Sequence, residues 1–337
     1  MHNRNFISVS FWVSRLLVAV LASAAPVVQA QPAVTVLKLN HTDTPSGSRH
    51  AAAEAFAQKV EEYTGGRYRI LVFHSGQLGN DPQNVKAVAE GRLDFTTSAT
   101  GSFAGLVNEL NLTALPYLVD SYEHGWRLYD NSTWLAKQFD KLPAKGIRYL
   151  ATWEAGFRSF TTKTPLNQPA DAKGKRIRVF PNDMIKWIME SIGYEPVVLP
   201  ITNVYSAIQS GAVDGQENPV DTIRSMRFYE VAPNIVLTQH VYSPIPFVMS
   251  ETLWQRLSAA DRQRFMKAGQ EASNLSRTLT RDADEANIAA MKADGAKVVV
   301  PNRQQFRQAM EGVYPRARTV YGADVDAILA DAKAMRP

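Results

Sequence analysis

Cysteine is absent from the 337 residues. No thiol nucleophile, thiolate metal site, disulfide or CxxC redox pair can therefore be part of this protein. Other chemical signatures are missing too. The six histidines (His2, His41, His50, His74, His124 and His240) form no HExxH or other two-ligand spacing on one helix. The nearest approach to a GxSxG nucleophile elbow, Gly101-Ser102-Phe103-Ala104-Gly105, has its serine in the wrong place. There is no GxGxxG fingerprint and no P-loop lysine motif. Neither sign of charge dominates, with 37 basic against 32 acidic residues, so a nucleic-acid partner is not expected. No low-complexity tract or tandem repeat interrupts the chain. These absences point away from catalysis and leave no catalytic residue, metal site or cofactor to nominate.

The composition present is that of a globular protein, 45% apolar and 20% charged. The length suggests about two domains at ~150 residues each. Arg4 and Arg15 precede an apolar run from Leu16 to Ala25, followed by Pro26 and Val28-Gln29-Ala30. A positive start, a short apolar stretch and a small-residue cleavage site make a signal peptide over residues 1–30, with cleavage expected after Ala30 and Ala24 as the second choice. The uninterrupted run is too short for a spanning helix, which needs ~20 apolar residues. No later segment could span a bilayer, so an exported, soluble, periplasmic protein is expected.

The rest opens as β-α-β-α-β. Val34 to Asn40 alternates like a strand, and Arg49 to Thr64 places Ala52, Phe56, Val60 and Tyr63 on one helical face. Arg67 to Phe73, Pro82 to Glu90 and Leu93 to Ser98 continue the series, which predicts parallel pairing through crossovers. The same order returns later: strand Arg176 to Phe180, helix Asp183 to Ile192, strand Pro196 to Leu199, helix Asn203 to Ser210 capped by Thr202, strand Val213 to Glu217. Gly91-Arg92-Leu93-Asp94 and Gly211-Ala212-Val213-Asp214 occupy equivalent places in the two halves. Two lobes of similar architecture follow. Ser258 to Met291 has no proline and one glycine, and predicts a long helix able to bridge both lobes, with a break near Asn274 as the alternative. A strand at Lys297 to Val300 and two short helices complete the expectation.

Gly174-Lys175-Arg176-Ile177-Arg178-Val179-Phe180-Pro181 is unusual for a strand of a buried sheet, because Arg176, Arg178 and Phe180 share one face. An arginine there needs a partner. An internal salt bridge or a solvated edge would supply one, and so would a bound anion, since a guanidinium fork fits a carboxylate with two parallel bonds. Arg158 lies in Gly156-Phe157-Arg158-Ser159-Phe160, and Asn218 ends a strand ahead of Pro219, where ligands of open α/β sheets bind.

Ser75-Gly76-Gln77-Leu78-Gly79, Leu115-Pro116-Tyr117, Gly156-Phe157-Arg158, Arg176-Ile177-Arg178-Val179, Val204-Tyr205-Ser206-Ala207-Ile208-Gln209, Val213-Asp214-Gly215-Gln216-Glu217-Asn218-Pro219 and Phe228-Tyr229-Glu230-Val231 occur along the chain. Together they resemble the DctP-type solute-binding proteins of tripartite ATP-independent periplasmic (TRAP) transporters, over nearly the whole chain beyond residue 36. The resemblance implies an α/β, two-lobed, type II-like periplasmic binding protein with a hinge and a long bridging helix. It implies an organic acid held by Arg178, assisted by Arg158 and Asn218, and delivered to TRAP membrane permease subunits driven by an ion gradient. Trp153, Phe180 and Tyr242 are further candidate ligand-binding residues. The uncharged segment Ser98 to Phe103 departs from the sialic acid binders and suggests a smaller or more apolar acid, aromatic or a dicarboxylate. Domain I is expected at 31–155 plus about 244–283, and domain II at 156–243 plus about 284–337. A monomer is expected. The rival readings are an exported two-lobed enzyme acting on a carboxylate, and the receptor of an ATP-driven importer.

Overall fold

The computed structural model describes residues 33–337, so the signal peptide expected over 1–30 lies outside the described residues. Two mixed sheets carry the fold. The first has the order β2-β1-β3-β10-β4. Its members are β1 (Thr35–Asn40), β2 (Tyr68–Phe73), β3 (Phe95–Thr97), β4 (Ile147–Trp153) and β10 (Ile245–Ser250). The second has the order β11-β9-β5-β8-β6-β7. It contains β5 (Phe157–Thr162), β6 (Arg176–Val179), β7 (Glu195–Val198), β8 (Gly215–Pro219), β9 (Asn234–Tyr242) and β11 (Lys297–Val299). The helices are α1 (Ser48–Tyr63), α2 (Asp81–Ala89), α3 (Tyr122–Asn131), α4 (Thr133–Phe139), α5 (Asp183–Ser191), α6 (Val204–Gln209), α7 (Val220–Ser225), α8 (Phe228–Val231), α9 (Glu251–Arg256), α10 (Ala259–Ala293), α11 (Arg303–Met310), α12 (Val313–Tyr321) and α13 (Ala323–Ala334).

The β-α-β units pair in parallel, β1 with β2 and β3, and β6 with β7 and β8, and β11 joins the second sheet parallel to β9. In the first lobe α1 buries Ala52, Ala53, Phe56 and Val60 against the sheet, and Phe56 packs edge-on to Phe95 and Phe247. Full burial of one such side chain contributes roughly 1.5–3 kcal/mol.

The two four-residue echoes are one turn built twice. Gly91 and Gly211 both take left-handed φ, 71° and 78°, which a glycine adopts without a Cβ clash. After each, two successive amides return to one helical carbonyl: Arg92 and Leu93 to Ala87, Ala212 and Val213 to Ala207. Leu93 and Val213 are buried. The aspartate that follows then accepts from the first strand of its own sheet segment, Asp94 from the Lys38 amide at 2.8 Å and Asp214 from the Arg176 amide at 2.7 Å.

The chain crosses between sheets at residues 154–156, from β4 to β5, and at 243–244, from β9 to β10. Glu154 ties the crossings together from a fully buried position. One carboxylate oxygen accepts from the Ala155 and Gly156 amides. The other accepts from Tyr242 Oη at 2.6 Å and Trp126 Nε1 at 2.8 Å. Its main chain bonds Ser276 and Thr280 of α10. Helix α10 runs 35 residues unbroken, with Ser258 as its N-cap, so the break near Asn274 does not occur.

Three expectations are corrected. Thr202 does not cap α6; Ile201–Asn203 form a 3₁₀ turn after Pro200, and α6 starts at Val204 with no side-chain cap. Asn218 does not end its strand: β8 runs Gly215–Pro219, because pairing of Ser159 with Asn218 and Arg158 with Pro219 extends the ladder by one residue. Three helices, not two, close the chain, with Gly322 separating α12 from α13. Helix α12 packs on α5, whereas α13 returns to α3 and α4.

Candidate functional site

A cavity of about 370 Å³ opens where the carboxyl ends of strands from both sheets converge. Arg178, third residue of β6, reaches it from the second sheet. The strand presents Ile177 and Val179 to the core, and alternation sends Arg178 to the other face. Its Nε donates to the Leu199 carbonyl at 2.9 Å, which fixes the plane of the fork. Its remaining donors have no hydrogen-bond partner among the described residues, and it makes no ion pair there. Burial pushes its guanidinium down to about 10, although Glu217 nearby opposes the shift. A buried cation held in one orientation with free donors is suited to a carboxylate. Arg176, at the exposed start of the strand, instead bonds the Gly211 carbonyl at 2.7 Å.

Arg158 shares the cavity but is internally paired. Its Nε and Nη2 bind the two carboxylate oxygens of Glu217, and Nη2 also reaches the Glu217 carbonyl at 2.6 Å and Asn218 Oδ1 at 3.2 Å. Its Nη1 donates to Ser243 Oγ at 3.2 Å. Burial would raise Glu217, but Arg158 and His240 beside it hold it below the ordinary carboxylate range. Burial lowers His240 against the opposing effect of Glu217, and the two-point ion pair is that of Arg158 with Glu217.

Phe180 lines the cavity, with the Arg158 guanidinium 4.9 Å from its ring centre. Asn218 also lines it, its amide bound to Gln216. Trp153 and Tyr242 do not line it, although Tyr242 borders a small adjoining pocket beside Arg158 and Phe180. Trp153 is fully buried in the first lobe and stacks on Phe247 at 4.2 Å. Tyr242 spends its hydroxyl on Glu154 at the crossing.

Arg49 and Asp81 were not anticipated, and the opposite wall is made of them. Helix α2 points its first turn at the cavity because Asn80 and Gln83 form a reciprocal capping box. The pattern Asn-Asp-Pro-Gln was a legible signal for it. Asp81 Oδ1 accepts from Thr42 and Ser98, each at 3.0 Å. Arg49 sits in the first turn of α1, donates to Thr42 Oγ1 at 3.3 Å, and makes no ion pair among the described residues. A cation at the positive end of a helix is unfavourable for the helix alone, and this was the available clue to a role beyond it. Among the described residues no group of His, Asp and Glu side chains could hold a metal ion.

Two α/β lobes joined by crossing strands and a bridging helix, with an unpaired arginine in the cleft, define a solute-binding receptor. The chain belongs to the DctP family, described as bacterial extracellular solute-binding protein, family 7, which it matches over residues 39–319. It is 32% identical over 79% of its length to a solute-binding protein of Verminephrobacter eiseniae, covering 80% of that protein. It is 31% identical to the 2,3-diketo-L-gulonate-binding periplasmic protein YiaO of Escherichia coli, over 81% of this chain and 84% of that one. Among solved structures, a TRAP periplasmic solute-binding protein from Polaromonas sp. JS666 bound to D-erythronate superposes with a TM-score of 0.84 at 32% identity, over 88% of this chain and 98% of that one. The family consists of receptors, not enzymes, and its TRAP members are periplasmic.

Proposed function

We propose that this protein is a periplasmic receptor that closes two lobes on a hydroxylated monocarboxylate and delivers it to TRAP membrane permease subunits. The observation that carries the reading is Arg178, a buried guanidinium in the cavity with free donors and no carboxylate partner among the described residues. Charge decides between acid classes. Arg158 is neutralised by Glu217, leaving Arg178 and Arg49 positive and Asp81 negative in the wall. A net charge of one matches a monoanion, and a dicarboxylate would bring its second charge close to Asp81. Arg49 and Asp81, linked behind the wall through Thr42, offer donors and an acceptor, which suits hydroxyl groups. Phe180, Pro181 and Ile201 line the apolar remainder. Family membership supports an organic acid, and the D-erythronate and diketogulonate relatives support the hydroxylated monocarboxylate class.

The lobes would divide as 31–155 with about 244–283, and 156–243 with about 284–337, with crossings at 154–156 and 243–244 as the hinge and α13 packed back on α3 and α4. The precursor would lose residues 1–30 on export. The test is a thermal-shift screen of the mature protein against organic acids. Saturation at ~100 times Kd adds about 2.7 kcal/mol. A hydroxylated monocarboxylate should give a larger shift than succinate. No shift with any acid would overturn the reading.

A further inference from the structure

Helix α1 lacks a side-chain cap of its own, since Gly47 occupies the N-cap position. The cap comes from the other lobe. Asp221, second residue of α7, places Oδ2 3.1 Å from the Ser48 amide and 2.7 Å from Ser48 Oγ. Residue 221 is 173 positions away in the chain, and both side chains are buried. The bridge continues into α10, through Ser48 Oγ to Thr280 Oγ1 at 2.9 Å and through Asn287 to Asp221 Oδ1 at 3.4 Å. One helical turn further along α7, Ser225 Oγ donates to Asp43 Oδ1 at 2.8 Å, and Thr44 Oγ1 donates to the Ser225 carbonyl at 3.3 Å. Gly47 is required for this seam, because a Cβ there would lie 2.0 Å from Asp43 Oδ2.

The seam abuts the cavity on both sides. Arg49 follows Ser48, Thr222 follows Asp221, and both line the cavity. A bond between residues 48 and 221 therefore sets how far apart two facing walls stand. We propose that Asp221 is a positioning residue for ligand capture: it caps α1 across the lobes and so holds Arg49 and Thr222 against the bound acid. The charged groups around it are Asp43 from the β1–α1 loop, Arg49 from α1, and Asp284 from α10. Arg49 is the cation of this group. A carboxylate facing other carboxylates is costly unless its hydrogen bonds are made, so the Ser48 bonds are what make the closed arrangement tolerable. The coupling to ligand rests on the receptor reading above; the seam itself does not.

The absence of cysteine makes a direct test possible. Thr44→Cys/Ser225→Cys reports seam closure through its cross-linking rate under copper–phenanthroline, without ligand. Asp221→Ala should slow that rate at least about tenfold, while Asp221→Asn, which keeps an acceptor oxygen, should retain most of it. Equal rates in the parent and Asp221→Ala would overturn the proposal, as would no cross-link in the parent. Circular dichroism of each variant separates misfolding from opening. In a second arm, the tightest binder among D-erythronate, D-glucuronate, D-galacturonate, pantoate and succinate is titrated. Asp221→Ala should weaken it about tenfold through a faster off-rate and be non-additive with Arg49→Ala. Unchanged affinity in Asp221→Ala would overturn the link to capture. If the cross-linking pattern holds and no acid binds, the receptor reading fails while the seam stands.

Discussion

Arg158 and Arg178 enter one cavity from neighbouring regions of the second sheet, yet one carries its counter-ion and the other does not. Arg158 is clamped by both oxygens of Glu217, whereas Arg178 is oriented by the Leu199 carbonyl and keeps its remaining donors free. The distinction separates anchoring the ligand from holding the sheet. Arg178→Ala should weaken acid binding by about tenfold to a hundredfold or more, each factor of ten being about 1.4 kcal/mol. Arg178→Lys should recover little, because an ammonium cannot make two parallel bonds. Calorimetric titration of the folded variants checks this, with Arg176→Ala as the control.

Arg158→Ala should act first on stability. It leaves Glu217 buried without its cation, a loss of about 3–5 kcal/mol. The double variant Arg158→Met/Glu217→Leu should recover much of that, since removing both charges avoids the uncompensated one. Urea unfolding of the single and double variants measures it. Equal destabilisation in both would contradict the account.

Trp153 and Tyr242 should behave as structural residues. Trp153→Ala opens a hole beside Phe247 and should cost about 3–5 kcal/mol. Tyr242→Phe deprives Glu154 of a hydroxyl donor inside the junction and should cost about 1–3 kcal/mol. Variants that remain folded should titrate with acid as wild type does.

Asp43 should make stability depend on pH. Burial, with Asp221 adding to it, pushes its carboxyl up from 3.8 to about 6 against the opposing effect of Arg49. Between those values the folded chain holds a proton that the unfolded chain has released. The contribution is therefore full below about pH 4 and is lost as pH rises through 6. Comparison with Asp43→Asn isolates it from the buried histidines. Wild type should lose stability relative to the variant from pH 4 to 7, by on the order of 2–3 kcal/mol. A flat difference in urea unfolding free energies would show that Asp43 does not titrate there.

Amino-terminal sequencing of protein recovered from the periplasm should begin at Gln31. A mature chain that still starts at Met1 would remove the export step from the proposal.

The features legible in the residues alone are those set by neighbours in the chain. Gly91 and Gly211 had to stop helices because their φ is left-handed, and Asp94 and Asp214 follow them at the same offset. The proline-free stretch after Ser258 pointed to a long helix, with a break near Asn274 left open, and Arg178 had to face away from Ile177 and Val179 because those two occupy the core. What only the folded chain decided involves partners distant in sequence. The antiparallel β10 separates β3 from β4, and its course depends on a chain reversal at residues 243–244 that periodicity does not encode. Trp153 is core and not cavity wall because Phe247, 94 positions on, lies against it. Arg158 is neutral in effect because Glu217 arrives 59 residues later on β8. Asp221 meets Ser48 across 173 residues. An alternating or helical pattern records which face of an element is apolar. The charge a side chain presents to a ligand depends on which other elements pack against it, and that is determined when the lobes assemble.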